Sequence, residues 1–159
     1  MSRYAENTSV PSERSKSEIE RTLARYGASA FGYAIDSQRA VVQFQAHERF
    51  VRFVLPMPDP DDPEFLLTPT GRRTRSAAQA LAAYEQATRQ RWRALALAIK
   101  AKLEAVETGI TTFENEFLAH ILLPDGSTFG EWAAPEIERA YESGEMPGGL
   151  LALPAGDAA

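Results

Sequence analysis

The 159-residue chain contains no cysteine, which excludes disulfides, thiolate zinc sites and cysteine nucleophiles. Histidine is scarce, with only His47 and His120. No apolar run approaches the roughly 20 residues that a membrane helix needs. The opening "MSRYAENTSVPSERSKSEIE" lacks the apolar core of a secretory signal. These absences predict a soluble, cytoplasmic protein. A glycine-rich phosphate loop with its lysine, a Gly-x-Gly dinucleotide fingerprint and a serine nucleophile elbow are all missing. No catalytic constellation assembles from what remains, so a non-enzymatic protein without cofactor or metal is expected.

Charge is informative once it is divided along the chain. From Met1 to Arg75 eleven Lys or Arg stand against ten acids, and from Ser76 to Thr108 five against three. From Gly109 onward Arg139 alone faces nine acids, so the net charge of -5 comes from the last third. A basic face can still bind an anion, because exposed charges act over only about 8 to 10 Å at ordinary salt.

Hydrophobic periodicity supplies the elements. Ser15 with Glu18, or Ser17 with Glu20, has capping-box spacing and precedes Ile19, Leu23 and Tyr26, a short helix ended by Gly27. "SAFGYAID" alternates Phe31, Tyr33 and Ile35 with small residues, as a half-buried strand does. "RAVVQFQAH" places Val42, Phe44 and Ala46 on one face, and "RFVRFVLP" places Val51, Phe53 and Leu55 on one face. Three short-linked strands make an antiparallel meander. Pro56, Pro58, Pro60 and Pro63 end the third strand and open an irregular loop over 56–75.

Ser76 with Gln79 then caps a long helix carrying Leu81, Tyr84, Thr88, Trp92, Leu95, Ile99, Leu103 and Val106 at three- and four-residue spacing, closed by Gly109. Thr111 with Glu114 starts another helix with Phe113, Phe117 and Leu118 on its apolar stripe. "LPDGST" is a turn. Thr128 with Glu131 begins a short helical turn, and Pro135 opens a last helix through Ile137 and Tyr141 to Gly144. The fold class is α+β: a three-stranded antiparallel meander packed on a long helix, with a helical C-terminal extension. Residues 1–14 read as a mobile lead-in, 15–144 as one domain and 145–159 as a flexible tail.

Three features could carry chemistry. The carboxylates Asp59, Asp61, Asp62 and Glu64 lack the glycine and distant glutamate of a calcium loop, and they read as a solvated acidic loop. His47 reads as a hairpin-tip residue, and His120, in "FLAHILL", as a partly buried histidine. The third is "RQRWRALALAIKAKLEAVE", Arg89 to Glu107, whose five cations flank the apolar side of the long helix. Those cations fit either a solvated helix whose Arg and Lys stems lie over the core, or an anion-binding face. In the second case Arg72, Arg73 and Arg75 of "TGRRTR" join Arg49, Arg52, Arg89, Arg93 and Lys100 in a groove between sheet and helix. Guanidinium groups there would bind phosphate oxygens, and Trp92 would stack on bases.

In "MSRYAENTSV", "RQRWRALALAIKAKLEAVE" and "ITTFENEFLAHILLPDGSTFGEW" the chain resembles a family of small phage and prophage proteins, over nearly its whole length. The resemblance implies a viral or mobile-element origin and brings no activity with it. The order of helix, meander and long helix is also similar in topology, though not in motif, to the core of the single-strand annealing proteins of recombination systems. The expectation is therefore a non-enzymatic protein that binds DNA, preferably single-stranded, through the cations above, and that assembles as a homo-oligomer. The alternative is an adaptor or inhibitor of a host or phage protein, with the acidic stretch Glu131 to Glu145 presenting the contact and Phe129, Trp132 and Ile137 as anchors.

Overall fold

The computed structural model describes residues 5–146. Helix α1 spans Ser12–Arg25, and strands β1 (Ala30–Ile35), β2 (Arg39–Ala46) and β3 (Arg49–Pro56) form an antiparallel sheet in the order β1-β2-β3. A one-turn helix α2 (Pro63–Leu66) precedes the 31-residue α3 (Ala77–Glu107). Helix α4 (Phe113–Phe117) runs into a 3-10 turn, Leu118–His120, and α5 covers Phe129–Ser143. The α+β class and the meander under a long helix are as the sequence predicts. Of the tail expected over 145–159, residues 147–159 lie outside the described residues.

Strand alternation builds the core. Val42, Phe44, Val51 and Phe53 project from one sheet face and are buried against Trp92, Leu95, Ile99 and Leu103 of α3, with Ile19 and Leu23 of α1 and Phe113 and Phe117 of α4 closing the sides. Phe117 meets Phe44 and Phe53 edge-on at 5.8 and 6.3 Å, and stacks on Phe113 at 4.6 Å. Helix α3 is about 46 Å long by its rise per residue, whereas an eight-residue strand reaches only about 26 Å. Its first turns therefore overhang the sheet, and Leu81, expected in the core, is exposed.

The overhang is covered from another side. The 56–75 segment, expected to be irregular, is built from local hydrogen bonds. Asp62 caps α2 by accepting from the Glu64 N–H at 2.9 Å, and Phe65 is buried with its ring edge-on to Tyr84 at 5.9 Å. Leu67 bridges Thr74, the Thr68 N–H donates to the Arg73 carbonyl at 2.8 Å, and Gly71 turns the chain at φ +69. The described part of the expected lead-in is held as well, since Gln86 Nε2 donates to the carbonyls of Glu6 and Thr8 at 3.1 and 2.9 Å, while its residues 1–4 lie outside the described residues.

Other expectations are corrected. Helix α1 starts at Ser12 behind Pro11, because Ser15 lies fully buried on the Ile19–Leu23 face and is not free to cap. The strand β1 has the expected face, with Phe31, Tyr33 and Ile35 opposite Phe44, Val42 and Ala40. It is nevertheless an edge that the helices cover poorly, and Tyr33 and Ile35 are 50% and 49% exposed. Thr112, not Thr111, caps α4, and Leu118 is exposed. Helix α5 is continuous through Pro135, which removes one backbone donor in a stretch where Ala134 and Pro135 face solvent.

Candidate functional site

The cations expected to line a groove between sheet and helix do not meet there, because the hydrophobic core fills that space. Trp92 is 2% exposed, with its ring edge-on to Tyr33 at 6.3 Å, and offers no face to a base. Arg93 is paired with Glu18 of α1. Arg89 donates to Gln86 Oε1 at 2.7 Å and lies 4.0 Å from Glu85. Arg75 donates to the carbonyls of Glu64 and Phe65 at 2.9 and 3.2 Å, closing the α2 loop. Arg52 lies opposite Gln43 on the sheet face away from α3 and reaches Glu131 of α5 at 2.9 Å. Arg49 begins β3, where it donates to the Glu48 carbonyl at 3.3 Å.

Arg72 and Arg73 are exposed in the turn around Gly71. Lys100 is exposed on a cleft of about 440 Å³ between α1 and α3, beside Arg21, Arg25, Glu18 and Glu104. The sequence reading missed Arg21 and Arg25, which α1 brings to that cleft. There Tyr26 donates its hydroxyl to Glu104, which raises the phenol pKa.

The acidic loop is occupied with its own backbone. Asp59 Oδ1 accepts from the Asp61 N–H at 3.0 Å, and Asp62 is the α2 cap. His47 sits exposed in the β2–β3 turn and stacks on Phe113 at 4.6 Å. His120 is half-buried and stacks on Phe53 at 4.0 Å. Burial and the nearby Lys102 ammonium hold its pKa below the ordinary histidine value, against a hydrogen bond to the Arg52 backbone.

A different surface is assembled on α5. Its N-terminus is fixed by a reciprocal capping box, in which Thr128 Oγ1 accepts from the Glu131 N–H at 3.2 Å and Glu131 Oε2 accepts from the Thr128 N–H at 2.6 Å. The Thr128 hydrogen bonds first, and the Arg52 guanidinium after them, hold the Glu131 carboxyl below the usual carboxylate range. Gly130 lets α5 approach the 3-10 turn, since a Cβ there would stand 2.8 Å from the Ala119 carbonyl oxygen. That close contact buries Ala133 and leaves Trp132, Ile137 and Tyr141 outside. Trp132 is 53% exposed over the half-buried Phe129, their centroids 5.4 Å apart, while Ile137 and Tyr141 are 55% and 88% exposed.

A cleft of about 310 Å³ separates α5 from the Lys102–Glu116 ion pair (3.0 Å), His120 and the exposed Leu118. Glu131, Glu138, Glu142 and Glu145 stand exposed around this helix. The anchors Phe129, Trp132 and Ile137 therefore share one element, to which the structure adds Tyr141, with Leu118 of the 3-10 turn across the cleft. The spacing of Ile137 and Tyr141, one helical turn apart, was the available signal.

No family model, no curated protein and no solved structure matches the chain.

Proposed function

We propose that this chain is a non-enzymatic protein-interaction module of phage or mobile-element origin, an adaptor or inhibitor that docks on a host or phage protein through α5. The observation that carries the reading is that α5 leaves Trp132 bare on one flank and Ile137 with Tyr141 on the other, either side of the buried Ala133. Trp132, Ile137 and Tyr141 are each more than half exposed on an element that also exposes Glu131, Glu138 and Glu142. Aromatic and aliphatic side chains of this kind supply most of the energy of protein interfaces, and exposed apolar clusters with a polar rim mark such sites. The partner it fits is an apolar groove bordered by Lys or Arg.

The test is capture of a protein partner after nuclease treatment. Trp132→Ala with Ile137→Ala should weaken capture by about 100-fold or more, since two anchors cost about 2 kcal/mol each or more. Arg72→Glu with Arg73→Glu should leave it unchanged. Equal capture by the α5 variant, or capture abolished by nuclease, would reject the reading. Single-stranded DNA binding is the second reading. It is favoured by Arg72, Arg73 and Lys100, which are exposed and, among the described residues, in no ion pair. Three phosphate contacts give an affinity that falls roughly tenfold or more between 50 and 200 mM salt.

A further inference from the structure

The two edges of the sheet are treated differently. Beyond β3, Ile121 bridges Val51 and the Leu122 N–H donates to the Phe50 carbonyl at 2.8 Å, and Leu122 in turn bridges Thr128, so the chain itself covers the first half of that edge; at its end Pro56 has no N–H and its carbonyl accepts from Arg91 at 2.6 Å. Beyond β1, among the described residues, nothing is bonded. The Asp36 N–H donates to the Arg39 carbonyl at 2.9 Å, which sets the phase of the ladder. With the register of β1 on β2, Ala30, Gly32 and Ala34 turn their backbone groups to β2, while Phe31, Tyr33 and Ile35 turn theirs outward. Among the described residues no hydrogen bond outside the β1–β2 ladder engages those outward groups.

Natural sheets blunt an open edge with lysine, proline or a bulge in mid-strand. "AFGYAI" has no charge and no proline. Its large side chains are also held in place, since the Tyr33 ring lies edge-on to Trp92 at 6.3 Å with the Lys16 ammonium 5.5 Å from its centroid. Lys16 is itself paired with Glu13 at 2.6 Å, so the surroundings of the strand are close to neutral.

We propose that β1 is the seam of a homodimer, pairing antiparallel with β1 of a second copy about a two-fold axis through Tyr33, to give one six-stranded sheet. The same strand is the occupant that the edge fits best. It brings no charge to a charge-free edge, and its outward N–H and C=O groups fall on Phe31, Tyr33 and Ile35, in phase with those they meet. Phe31 then opposes Ile35 of the second copy and Tyr33 opposes Tyr33, three narrow pairs with two hydrogen bonds each. A two-fold axis perpendicular to the sheet keeps Phe31, Tyr33 and Ile35 on the helix side in both copies and the small Ala30, Gly32 and Ala34 on the other. Because the β3 edge is half covered and ends in a proline, and the two-fold contact uses up both β1 edges, assembly stops at two chains rather than continuing as a fibre.

The test is the mass in solution from low to high micromolar concentration, by light scattering or sedimentation. Wild type should reach twice the 17.5 kDa of one chain, and Tyr33→Lys with Ile35→Lys should stay at 17.5 kDa with an unchanged circular dichroism spectrum. Should that variant fail to fold, a cross-link decides. The chain has no cysteine of its own, and a narrow pair sets Cα atoms about 5.5 Å apart, within the range of about 4.4 to 6.8 Å that a disulfide spans. Tyr33→Cys should therefore oxidise to a covalent dimer while Ala101→Cys, on the exposed back of α3, does not. A wild type that is monomeric throughout overturns the proposal, whether or not it takes up an extended peptide at this edge. So does a dimer that survives both lysines, one lost instead on Trp132→Ala with Ile137→Ala, or equal cross-linking of the two cysteine variants.

Discussion

His47 and Glu48 form the two-residue connection of β2 to β3 at φ +50 and +60, a left-handed conformation that Asn and Gly adopt more readily. A glutamate held there is strained by about 1 kcal/mol, and its side chain is exposed. Glu48→Gly should accordingly raise the stability measured by urea denaturation by about 0.5 to 1 kcal/mol. His47→Asn should gain less, because the imidazole stacked on Phe113 ties the turn to α4 and Asn gives up that contact.

His120 makes stability depend on pH in a defined window. Its folded pKa is lowered, by burial first and Lys102 second. Below the ordinary value of about 6.5, the unfolded chain therefore binds a proton that the folded chain does not. Stability then falls as pH drops through that window and levels off below the folded value. The carboxyls of Asp125 and Glu131, held low by hydrogen bonds from Ser127 and Thr128, give up their contribution only in more acidic solution, below about pH 4. Thermal melts between pH 7 and 5 should show a decline in Tm that shrinks in His120→Gln.

Among the elements, those whose start, stop and face are encoded locally were legible in the sequence. Helix α3 has its Ser76–Gln79 capping box and a glycine at φ +75 just past its end. The strand β2 alternates buried and less buried positions along its length. What the sequence does not carry is which neighbour reaches each element. The alternation of Phe31, Tyr33 and Ile35 is right, yet α1 and α3 cover this strand only in part and leave Tyr33 and Ile35 half exposed. Leu81 sits on the apolar stripe of α3 but beyond the sheet. Proline was read as a boundary at Pro135, where α5 tolerates it because water can serve the freed carbonyl.

The overhang of α3 predicts a graded helix. Its first turns are secured by Phe65 against Tyr84 and by Gln86 on the lead-in, whereas Trp92 to Leu103 are held by the core. In Phe65→Ala, amide hydrogen exchange should accelerate roughly tenfold or more in residues 77–88, a local loss of about 1.4 kcal/mol. Protection over 92–103 should remain that of wild type.

At the scale of the molecule, the candidate surface was half legible. Trp132 and Ile137 could be read because their exposure follows from one helix and its caps. The fate of the cations could not be read, because the carboxylates that neutralise them come from distant segments: Glu18 is 75 residues from Arg93, and Glu131 is 79 from Arg52. Pairing at that range is set by how α1 lies on α3 and α5 on the sheet. A tally of charge along the chain contains neither.

The turn around Gly71 sets two exposed arginines at the boundary between the sheet half of the chain, with α1 to β3, and the half that begins with α3. Trypsin should cleave there first, after Arg72 or Arg73. The two fragments contribute opposite walls of one hydrophobic interior, so the nicked protein should elute as a single species and come apart only in denaturant. Supplied as separate polypeptides, the halves should restore each other's fold by complementation.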